Sequence, residues 1–540
     1  MDTTAPGGRY VGPVDAAVDE GRRDDTSVPW IRVRMRGGNV EVSGQLNAQF
    51  GHRIPSAAHS VADGIFAGWE WDGQRLVVSN DRYGFFPIFW CRLLGGGIGV
   101  SPSLVALIEQ GAPTGLDVEA LSVFLRLGYF VGEDTPFTAI KTVPPNAIFE
   151  WENGKLICQG RYPPSRRPTV LSRDDAIDTY IDLFARAMAR RTPAGRFAVP
   201  ISGGRDSRHI LLELHRTGFV PTACISVIDN PPDPNEDPRI AAILCKELGF
   251  TFATVDQRLS IFAAQARKNV ETHFCALSHG WYLALADALN GRFEYTYDGI
   301  AGDVLSQSKF LTPRLDEAFR SRNLDSIYDA LQDKRASTWP GTSKLLGGEL
   351  KPALDAVVAR LRLIRELGRH LDQPNPVASF ILWNRTRREI ALAPYALLKG
   401  VSHVYAPFLD HALFDFLATI PSHMVMDHRF HDDTIARAYP KFAHIPYVDN
   451  NAAFPDDSRE RARFLSEAAR AFLLKRPSRL MRNVGPRIRM LTALLSRGHL
   501  NPWLSPLLVY LDQVEFIAHG PFRSGARPIA KSSDGGKRGM

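Results

Sequence analysis

The turn that joins an apolar run to an amphipathic run near the middle of the chain constrains the fold most. Residues 197–201 (F-A-V-P-I) predict a short buried strand, and the Ile and Leu residues of 208–217 predict the apolar face of a helix. Gly203 and Gly204 lie between them. Because glycine has no Cβ, backbone N–H groups there can approach an anion closely, and the helix start adds N–H groups and a partial positive charge. The segment therefore predicts a phosphate-binding turn.

Polar side chains around the two glycines suit a nucleotide with its magnesium ion. Ser202 and Ser207 supply hydroxyl donors, and Asp206 supplies a carboxylate where Mg²⁺ can lie beside phosphates. No Walker-type lysine follows the glycines, so the turn is not built around a γ-phosphate. The alternative role for Asp206 is that of a carboxylate accepting backbone N–H groups at a helix start.

After this turn, strands alternate with helices. The strand-like runs are R-F-A-V-P-I-S, T-A-C-I-S-V-I, F-T-F-A-T-V-D and F-E-Y-T-Y-D-G, and helices are predicted at 208–217, at 236–248 and around 260–290. This alternation predicts an α/β fold with a doubly wound parallel sheet. The loops after Ile201, Val227 and Tyr297 should then lie at the carboxyl edge of the sheet, where nucleotides bind.

The preceding residues have a different pattern. From Trp30 to about Tyr162, short β-like runs are punctuated by Gly, Asn and Asp, with one helix in D-V-E-A-L-S-V-F-L-R-L-G-Y. A proline-rich linker follows, and Ser172 is a candidate N-cap for the next helix, while residues 315–520 look mainly helical. The predicted units are a flexible N-terminus (1–27), a mostly β domain (28–162), an α/β domain (163–450), and a basic helical extension with a flexible tail (451–540).

Composition indicates a soluble protein with two or three domains in its 540 residues. No apolar run approaches the ~18 residues of a membrane span, and the N-terminus lacks a basic-then-apolar signal pattern, so a cytoplasmic protein without a membrane partner is expected. Five scattered cysteines argue against a zinc site and a disulfide framework.

The net charge of +7 is uneven, because residues 455–540 hold sixteen Lys/Arg against seven Asp/Glu. A basic tail can bind nucleic acid or a membrane surface, or it can be a solvated helical face with a frayed terminus. Aromatic residues are not interleaved with the basic ones as single-strand binders require, so a nucleic-acid partner is not favoured.

Four motifs resemble the class B asparagine synthetase family, which includes β-lactam synthetases and lasso-peptide cyclases. S-G-G-R-D-S (202–207) is similar to the pyrophosphate loop S-G-G-x-D-S. N-D-R-Y-G-F-F-P-I-F-W (80–90) resembles a segment of the family's N-terminal domain. D-G-I-A-G-D-V-L (298–305) is similar to S-G-x-G-x-D-E, and A-P-F-L-D-H-A-L-F-D-F-L-A-T-I-P (406–421) resembles the third synthetase motif, in which Asp410 is expected to start a helix.

The resemblance implies a fold and a reaction. Residues 28–162 would form an N-terminal-nucleophile (Ntn) type αββα sandwich, and 163–450 an ATP-pyrophosphatase domain, adenine nucleotide α-hydrolase-like, with added helices. A carboxylate would attack the α-phosphorus of ATP, pyrophosphate would leave, and ammonia or an amine would displace AMP from the acyl-adenylate. ATP and Mg²⁺ are the implied cofactors, and a homodimer is possible by analogy. The implied site residues are Ser202, Gly203, Gly204 and Ser207 for pyrophosphate, Val227 and Gly299 for adenosine, and Asp206 and Asp303 for Mg²⁺ and catalysis.

The chain also departs from the family pattern. Residue 2 is Asp2 where the family's glutaminase has its cysteine nucleophile, and no cysteine precedes Cys91, so a degenerate glutaminase domain and a free ammonia or amine nucleophile are expected. Ile300 stands where asparagine synthetases have Glu and β-lactam synthetases Tyr, and Ile cannot move a proton. Lys441 is the nearest candidate for the family's adenylate-stabilising lysine.

The expected activity is therefore an asparagine-synthase-class, ATP-dependent carbon–nitrogen ligase with an inactive glutaminase half. The alternatives are a specialised amide-forming ligase or cyclase of a biosynthetic pathway, and a nucleotide-binding pseudoenzyme. An adenylating RNA-modifying enzyme is a further alternative, against which the N-terminal domain and the absence of paired cysteines argue. The carboxylate and the amine are not identified by the sequence.

Overall fold

The computed structural model describes residues 28–55, 62–93, 96–160, 165–229, 235–333, 356–448, 466 and 504–519. The predicted flexible N-terminus, Asp2 and most of the predicted basic extension lie outside the described residues. Within them, no helix combines the length and the apolar character that crossing a bilayer needs.

Two antiparallel five-stranded sheets form the N-terminal part. Their inward-facing side chains, including Val33 and Ile98 from one sheet and Trp69 and Trp151 from the other, share one buried core. The first sheet has the order β2 (Asn39–Gly44), β1 (Ile31–Arg36), β7 (Gly97–Ser101), β6 (Phe89–Leu93), β8 (Ile140–Thr142). The second has the order β10 (Lys155–Gln159), β9 (Ile148–Glu152), β5 (Arg75–Asn80), β4 (Asp63–Trp71), β3 (Asn47–Ile54).

Helices α1 (Leu104–Glu109) and α2 (Val118–Leu127) share a buried cluster with strands of the first sheet. The helix predicted in the D-V-E-A-L-S segment is confirmed as α2, and the β-rich character of this part is confirmed too. The four-layer αββα arrangement stays a prediction, because both helices described between 28 and 160 belong to the first sheet. Strands β2, β3 and β8 were not expected, since their sequences are short or largely polar and pair against more apolar neighbours.

A parallel five-stranded sheet forms the second part of the molecule. Its order is β13 (Phe252–Asp256), β12 (Ala223–Ile228), β11 (Phe197–Pro200), β14 (Tyr295–Tyr297), β15 (His403–Tyr405). Helices α3 (Arg173–Ala189), α4 (Asp206–Arg216), α5 (Glu236–Leu248), α6 (Ile261–Glu271) and α7 (Tyr282–Leu289) accompany it. The four strands that the sequence indicated are confirmed, and the side chain of Ser172 caps α3 by accepting the Asp175 N–H.

The strand order reverses beside β11. The chain runs from β11 to β12 and β13, then returns to place β14 on the other side of β11. Since parallel crossovers are right-handed, this reversal puts α4 and α5 on one face of the sheet and α7 on the other. The loops after β11 and β14 therefore diverge at their carboxyl ends and leave a crevice there.

The single helix predicted around 260–290 is wrong: α6 ends at Glu271 and α7 begins at Tyr282. Between them His273, Phe274 and His279 have positive φ. The buried Lys268 ammonium accounts for part of this break, because its Nζ draws in the carbonyls of Ala276 (2.7 Å) and Leu277 (3.2 Å) instead of leaving them in a helix.

The remaining described residues are mainly helical, as predicted. The α-helices are α8 (Pro313–Arg320), α9 (Leu324–Asp333), α10 (Ala356–Leu367), α11 (Pro376–Ile381), α12 (His411–Leu417), α13 (Ser422–Val425), α14 (Phe430–Ala438) and α15 (Leu504–His519). Three segments are π-helical: Asp303–Gln307, Leu382–Ile390 and Ala393–Leu397. Three are short 3₁₀ turns: Gly368–His370, Pro407–Leu409 and Pro440–Phe442.

A buried ion-pair network joins the two parts. Arg191, after α3, is 2% exposed and donates to both oxygens of Asp63 on β4 (3.0 and 2.9 Å) and to Asp410 (2.8 Å). Asp410 also caps α12 by accepting the N–H groups of Ala412 and Leu413, so its expected role at a helix start is confirmed. Removing either carboxylate would leave a buried guanidinium underpaired, which costs several kcal/mol, roughly 3–5.

Candidate functional site

The turn between β11 and α4 is held by its two serines. The Ser207 Oγ accepts the Ser202 N–H (3.2 Å), the two hydroxyls lie 3.1 Å apart, and the Ser202 Oγ accepts the Gly204 N–H (3.2 Å). The Gly203 N–H donates to Asp237 Oδ1 at 2.8 Å. A Cβ on Gly203 would lie 2.1 Å from Val448 Cγ2, so only glycine fits here.

The loop after β14 meets this turn at Asp206, the first residue of α4. The Asp303 N–H donates to Asp206 Oδ2 at 2.9 Å. A Cβ on Gly299 would lie 2.5 Å from the Asp206 Cβ, and a Cβ on Gly302 would lie 2.6 Å from both the Asp206 Cγ and Oδ1. Two glycines thus let the second loop lie directly against the Asp206 side chain.

The Asp206 carboxylate is only partly satisfied by these contacts. Its Oδ1 is buried and makes no hydrogen bond within the described residues. Burial, and to a smaller extent the neighbouring Asp303 charge, hold the pKa of Asp206 well above its usual range. Across the described residues, the Asp303 carboxylate has no hydrogen bond or ion pair. The site therefore brings two carboxylates together, and neither is paired with a lysine or arginine of the described residues.

Two buried histidines stand behind Asp206. The His431 Nδ1 lies 3.4 Å from Asp206 Oδ1, and its Nε2 lies 3.0 Å from the His209 Nδ1. Burial lowers the pKa of His431 to about 3 and that of His209 well below its usual range, so both rings are neutral at pH 7. This pair was not predicted, because 222 positions separate the two residues along the sequence.

A pocket of about 280 Å³ is lined by residues of both loops. We call it the switch-point pocket. Six of the predicted site residues line it: Ser202, Asp206, Ser207, Val227, Gly299 and Asp303. Gly203 and Gly204 belong to the same turn but are not among its lining residues. Trp281, Tyr282, Ile300, Arg385 and Thr386 also line the pocket and were not predicted as site residues, although Ile300 was noted as a departure from the family pattern.

Asp298 is a third carboxylate in the pocket wall. It accepts the Ile300 N–H (2.8 Å) and the Tyr282 hydroxyl (3.2 Å). Burial raises the pKa of Asp298 to about 6, which places its protonation near neutral pH. Among the described residues, no group of three or more His, Cys, Asp or Glu is arranged to hold a metal ion.

The structure does not bring Lys441 to this pocket. Lys441 is exposed, and its Nζ lies over the ring of Phe442, which packs against His215 near the end of α4. Because α4 has eleven residues and is roughly 16 Å long, Lys441 lies at the opposite end of this helix from Asp206. Lys309 is the nearer cation: its N–H donates to the Asp303 carbonyl (3.3 Å), and its charge acts to lower the pKa of Asp206.

Arg205 and Arg208, beside the turn, already have partners. Arg205 pairs with both oxygens of Asp432, and Arg208 donates to the carbonyls of Ile445 (2.8 Å) and Pro446 (2.5 Å). These guanidinium groups therefore tie the start of α4 to α14 and to the residues that follow α14.

One comparison with known proteins finds a similarity over part of the chain. Residues 39–162 match the family model of the glutamine amidotransferase domain. The match begins at the first residue of β2 and encloses the strands through β10. This is consistent with an asparagine-synthetase-like N-terminal domain, and it does not extend to the parallel sheet. A comparison with curated proteins found no match for the chain.

Proposed function

We propose that the chain is an ATP-dependent carbon–nitrogen ligase of the asparagine-synthetase kind, which activates a carboxylate as an acyl-adenylate for attack by ammonia or an amine. The observation that carries the proposal is the meeting of two loops at one carboxylate, where the Asp303 N–H donates to Asp206. This contact lies at the strand-order reversal, where doubly wound sheets bind nucleotides. The amidotransferase-type match over 39–162 supports the same family.

The turn after β11 would hold the departing pyrophosphate in an ATP-pyrophosphatase-type domain. Ser202 and Ser207 line the pocket with hydroxyl groups, and the start of α4 adds N–H groups. A phosphate oxygen at Gly203 would have to replace Asp237 Oδ1 on its N–H. Val227 and Gly299 would line the adenosine part of the pocket.

Magnesium fits the two carboxylates of this site. Asp206 Oδ1 is a buried oxygen without a hydrogen bond among the described residues, and the Asp303 carboxylate beside it is unpaired there. Mg²⁺ prefers oxygen ligands and is usually held by one or two carboxylates together with substrate phosphates, so a larger protein cluster is not needed. When bound, the ion would neutralise charge as the bond between the α- and β-phosphates breaks.

The other polar groups suggest roles in the two steps. The Asp303 N–H fixes the Asp206 carboxylate, which would in turn orient Mg²⁺ and the phosphates. Lys309 would supply positive charge in place of Lys441. Ile300 cannot accept a proton from the attacking amine, whereas Asp298, with its pKa raised to about 6, can.

Ammonia or an amine, rather than glutamine, is the proposed nitrogen donor. Within residues 39–162, which match the amidotransferase model, the cysteines are Cys91, which is buried, and Cys158, which lies on the last strand of the second sheet. The N-terminal sheets would then serve for structure, through contacts such as the Arg191–Asp63 pair. Cytoplasmic localisation and a homodimer remain predictions of the sequence.

A nucleotide-binding pseudoenzyme is the second candidate. Two observations favour it. Ile300 stands where the family has a proton acceptor, and the Gly203 N–H already donates to Asp237, so it is not available to a phosphate oxygen.

Release of AMP and pyrophosphate from Mg-ATP tests the proposal. The purified chain would be given a panel of carboxylates that includes aspartate, with ammonia, glutamine or no donor, and Asp206→Ala would be the control. We expect carboxylate-dependent AMP that is supported by ammonia, is not supported by glutamine and is lost in the variant. ATP binding without AMP in any mixture would favour the pseudoenzyme, and absence of ATP binding would refute both candidates.

A further inference from the structure

A second pocket of about 260 Å³ lies among helices α2, α8, α9 and α11. We call it the helical pocket and define it by these lining residues: Leu127, Phe310, Leu315, Ile381, Arg314 and Arg385. Its walls are mostly apolar, yet two arginines line it, and its described lining residues include no carboxylate. Such a pocket suits a ligand with an apolar body and an anionic head.

Arg385 lines both pockets. It lies in the π-helical segment Leu382–Ile390, whose Thr386 and Ile390 also line the switch-point pocket. π-helical turns are rare and frequently occur at functional sites. The side chain of Arg385 therefore stands at the border between the proposed reaction centre and an apolar cavity.

The guanidinium of Arg385 is poorly satisfied by the protein. Its Nε is buried without a hydrogen-bond acceptor in the described part of the chain, and lies 3.7 Å from Glu389 Oε2. Its Cζ lies 4.8 Å from the centre of the Phe310 ring. The other oxygen of Glu389 accepts both the N–H and the hydroxyl of Ser278. Arg385 thus keeps most of its five N–H donors available to a ligand.

The two pockets differ in charge. The switch-point pocket carries Asp206, Asp298 and Asp303, which would repel a substrate carboxylate placed among them without Mg²⁺. At the border, Arg385 offers the planar fork that matches a carboxylate. Ile300 itself adds an apolar side chain to this wall, where it cannot pair with a charged substituent.

We propose that the helical pocket holds the apolar body of the carboxylic acid substrate, and that Arg385 binds its carboxylate at the border of the two pockets. The substrate class is a monocarboxylic acid with an aliphatic or aryl chain. Aspartate fits poorly, because its ammonium and second carboxylate would be buried against apolar walls. The inference rests on the proposed function for the fate of the carboxylate, but the binding itself can be measured separately.

Calorimetric titration of the full chain with butanoate, hexanoate and octanoate tests the proposal. Affinity should rise about fourfold with each added methylene, as expected for burial of apolar surface, and octylamine should bind at least tenfold more weakly than octanoate. Arg385→Gln should weaken octanoate binding by about tenfold or more, and Arg385→Lys should weaken it less. Arg365→Gln, at an exposed arginine on α10, is the matched control and should change nothing.

The proposal is overturned if affinity does not depend on chain length, if octylamine binds as well as octanoate, or if folded Arg385→Gln binds octanoate like the unaltered chain. Should that variant not fold, the comparison of octanoate with octylamine in the unaltered chain decides. Titration with Mg-ATP in the same preparations separates the two proposals. Octanoate binding that depends on Arg385 without ATP binding supports the pocket and refutes the ligase. ATP binding without carboxylate discrimination refutes the pocket alone.

Discussion

Asp206→Asn should make the protein more stable while removing its proposed function. The Asp206 Oδ1 is buried without a hydrogen bond among the described residues, and the adjacent Asp303 charge raises the pKa of Asp206 further. An amide has the same shape, can keep the bond from the Asp303 N–H and carries no charge. A buried, unsatisfied polar group costs about 1–3 kcal/mol, and a charged one costs more, so we expect the free energy of unfolding to rise by at least 1 kcal/mol.

Urea unfolding followed by circular dichroism at pH 7, without nucleotide, measures this difference. Asp432→Asn is the matched control, because that carboxylate is paired with Arg205 at its two oxygens. Its loss should lower the stability by up to about 1 kcal/mol, as for a partly exposed ion pair. If Asp206→Asn instead unfolds at lower urea than the unaltered chain, the carboxylate serves the structure, and the argument that it is kept for a ligand is refuted.

Three further outcomes are expected. Gly302→Ala should lower stability by about 1–3 kcal/mol and abolish ATP binding, since its Cβ would lie 2.6 Å from the carboxylate that joins the two loops; Gly115→Ala, with open space around it, should do neither in the same urea and binding assays. Lys309→Met should lower the rate of AMP formation at least tenfold while Lys441→Met leaves it unchanged, and the reverse result would restore Lys441. Burial lowers the pKa of Lys268 to about 7, so the folded chain binds fewer protons than the unfolded chain between pH 7 and 10.5. The urea midpoint should therefore rise from pH 7 to pH 9. The same rise of the midpoint with pH in Lys268→Met would contradict this.

Local patterns in the sequence predicted the strand–turn–helix at the centre of the site. The apolar run before Ser202, the two glycines and the helical face after Ser207 each had one reasonable interpretation, and β11 and α4 follow it. Strand β14, which follows β13 in the chain and pairs with the other side of β11, was also predicted from its residues. These elements depend on short-range periodicity, which a sequence displays directly.

Features that depend on distant contacts were not predictable in this way. The helix break before Tyr282 arises partly because the buried Lys268 donates hydrogen bonds to the carbonyls of Ala276 and Leu277. His431 reaches Asp206 only after the chain has folded, and Arg385, which lines both pockets, lies in a segment that no motif marks. Lys441 was chosen by its order along the chain, but the helix α4 separates it from the site. Tertiary packing, rather than local propensity, fixes each of these positions.

Equilibrium binding of Mg-ATP tests the central claim most directly, namely that the loops after β11 and β14 form one nucleotide site at Asp206. The full chain would be titrated with ATP in the presence and absence of Mg²⁺, alongside Asp206→Asn. The account predicts Mg²⁺-dependent binding of one ATP per chain, weakened at least tenfold in the variant although that variant is more stable. ATP binding that is unaffected by the substitution, or no binding by the unaltered chain, would contradict it.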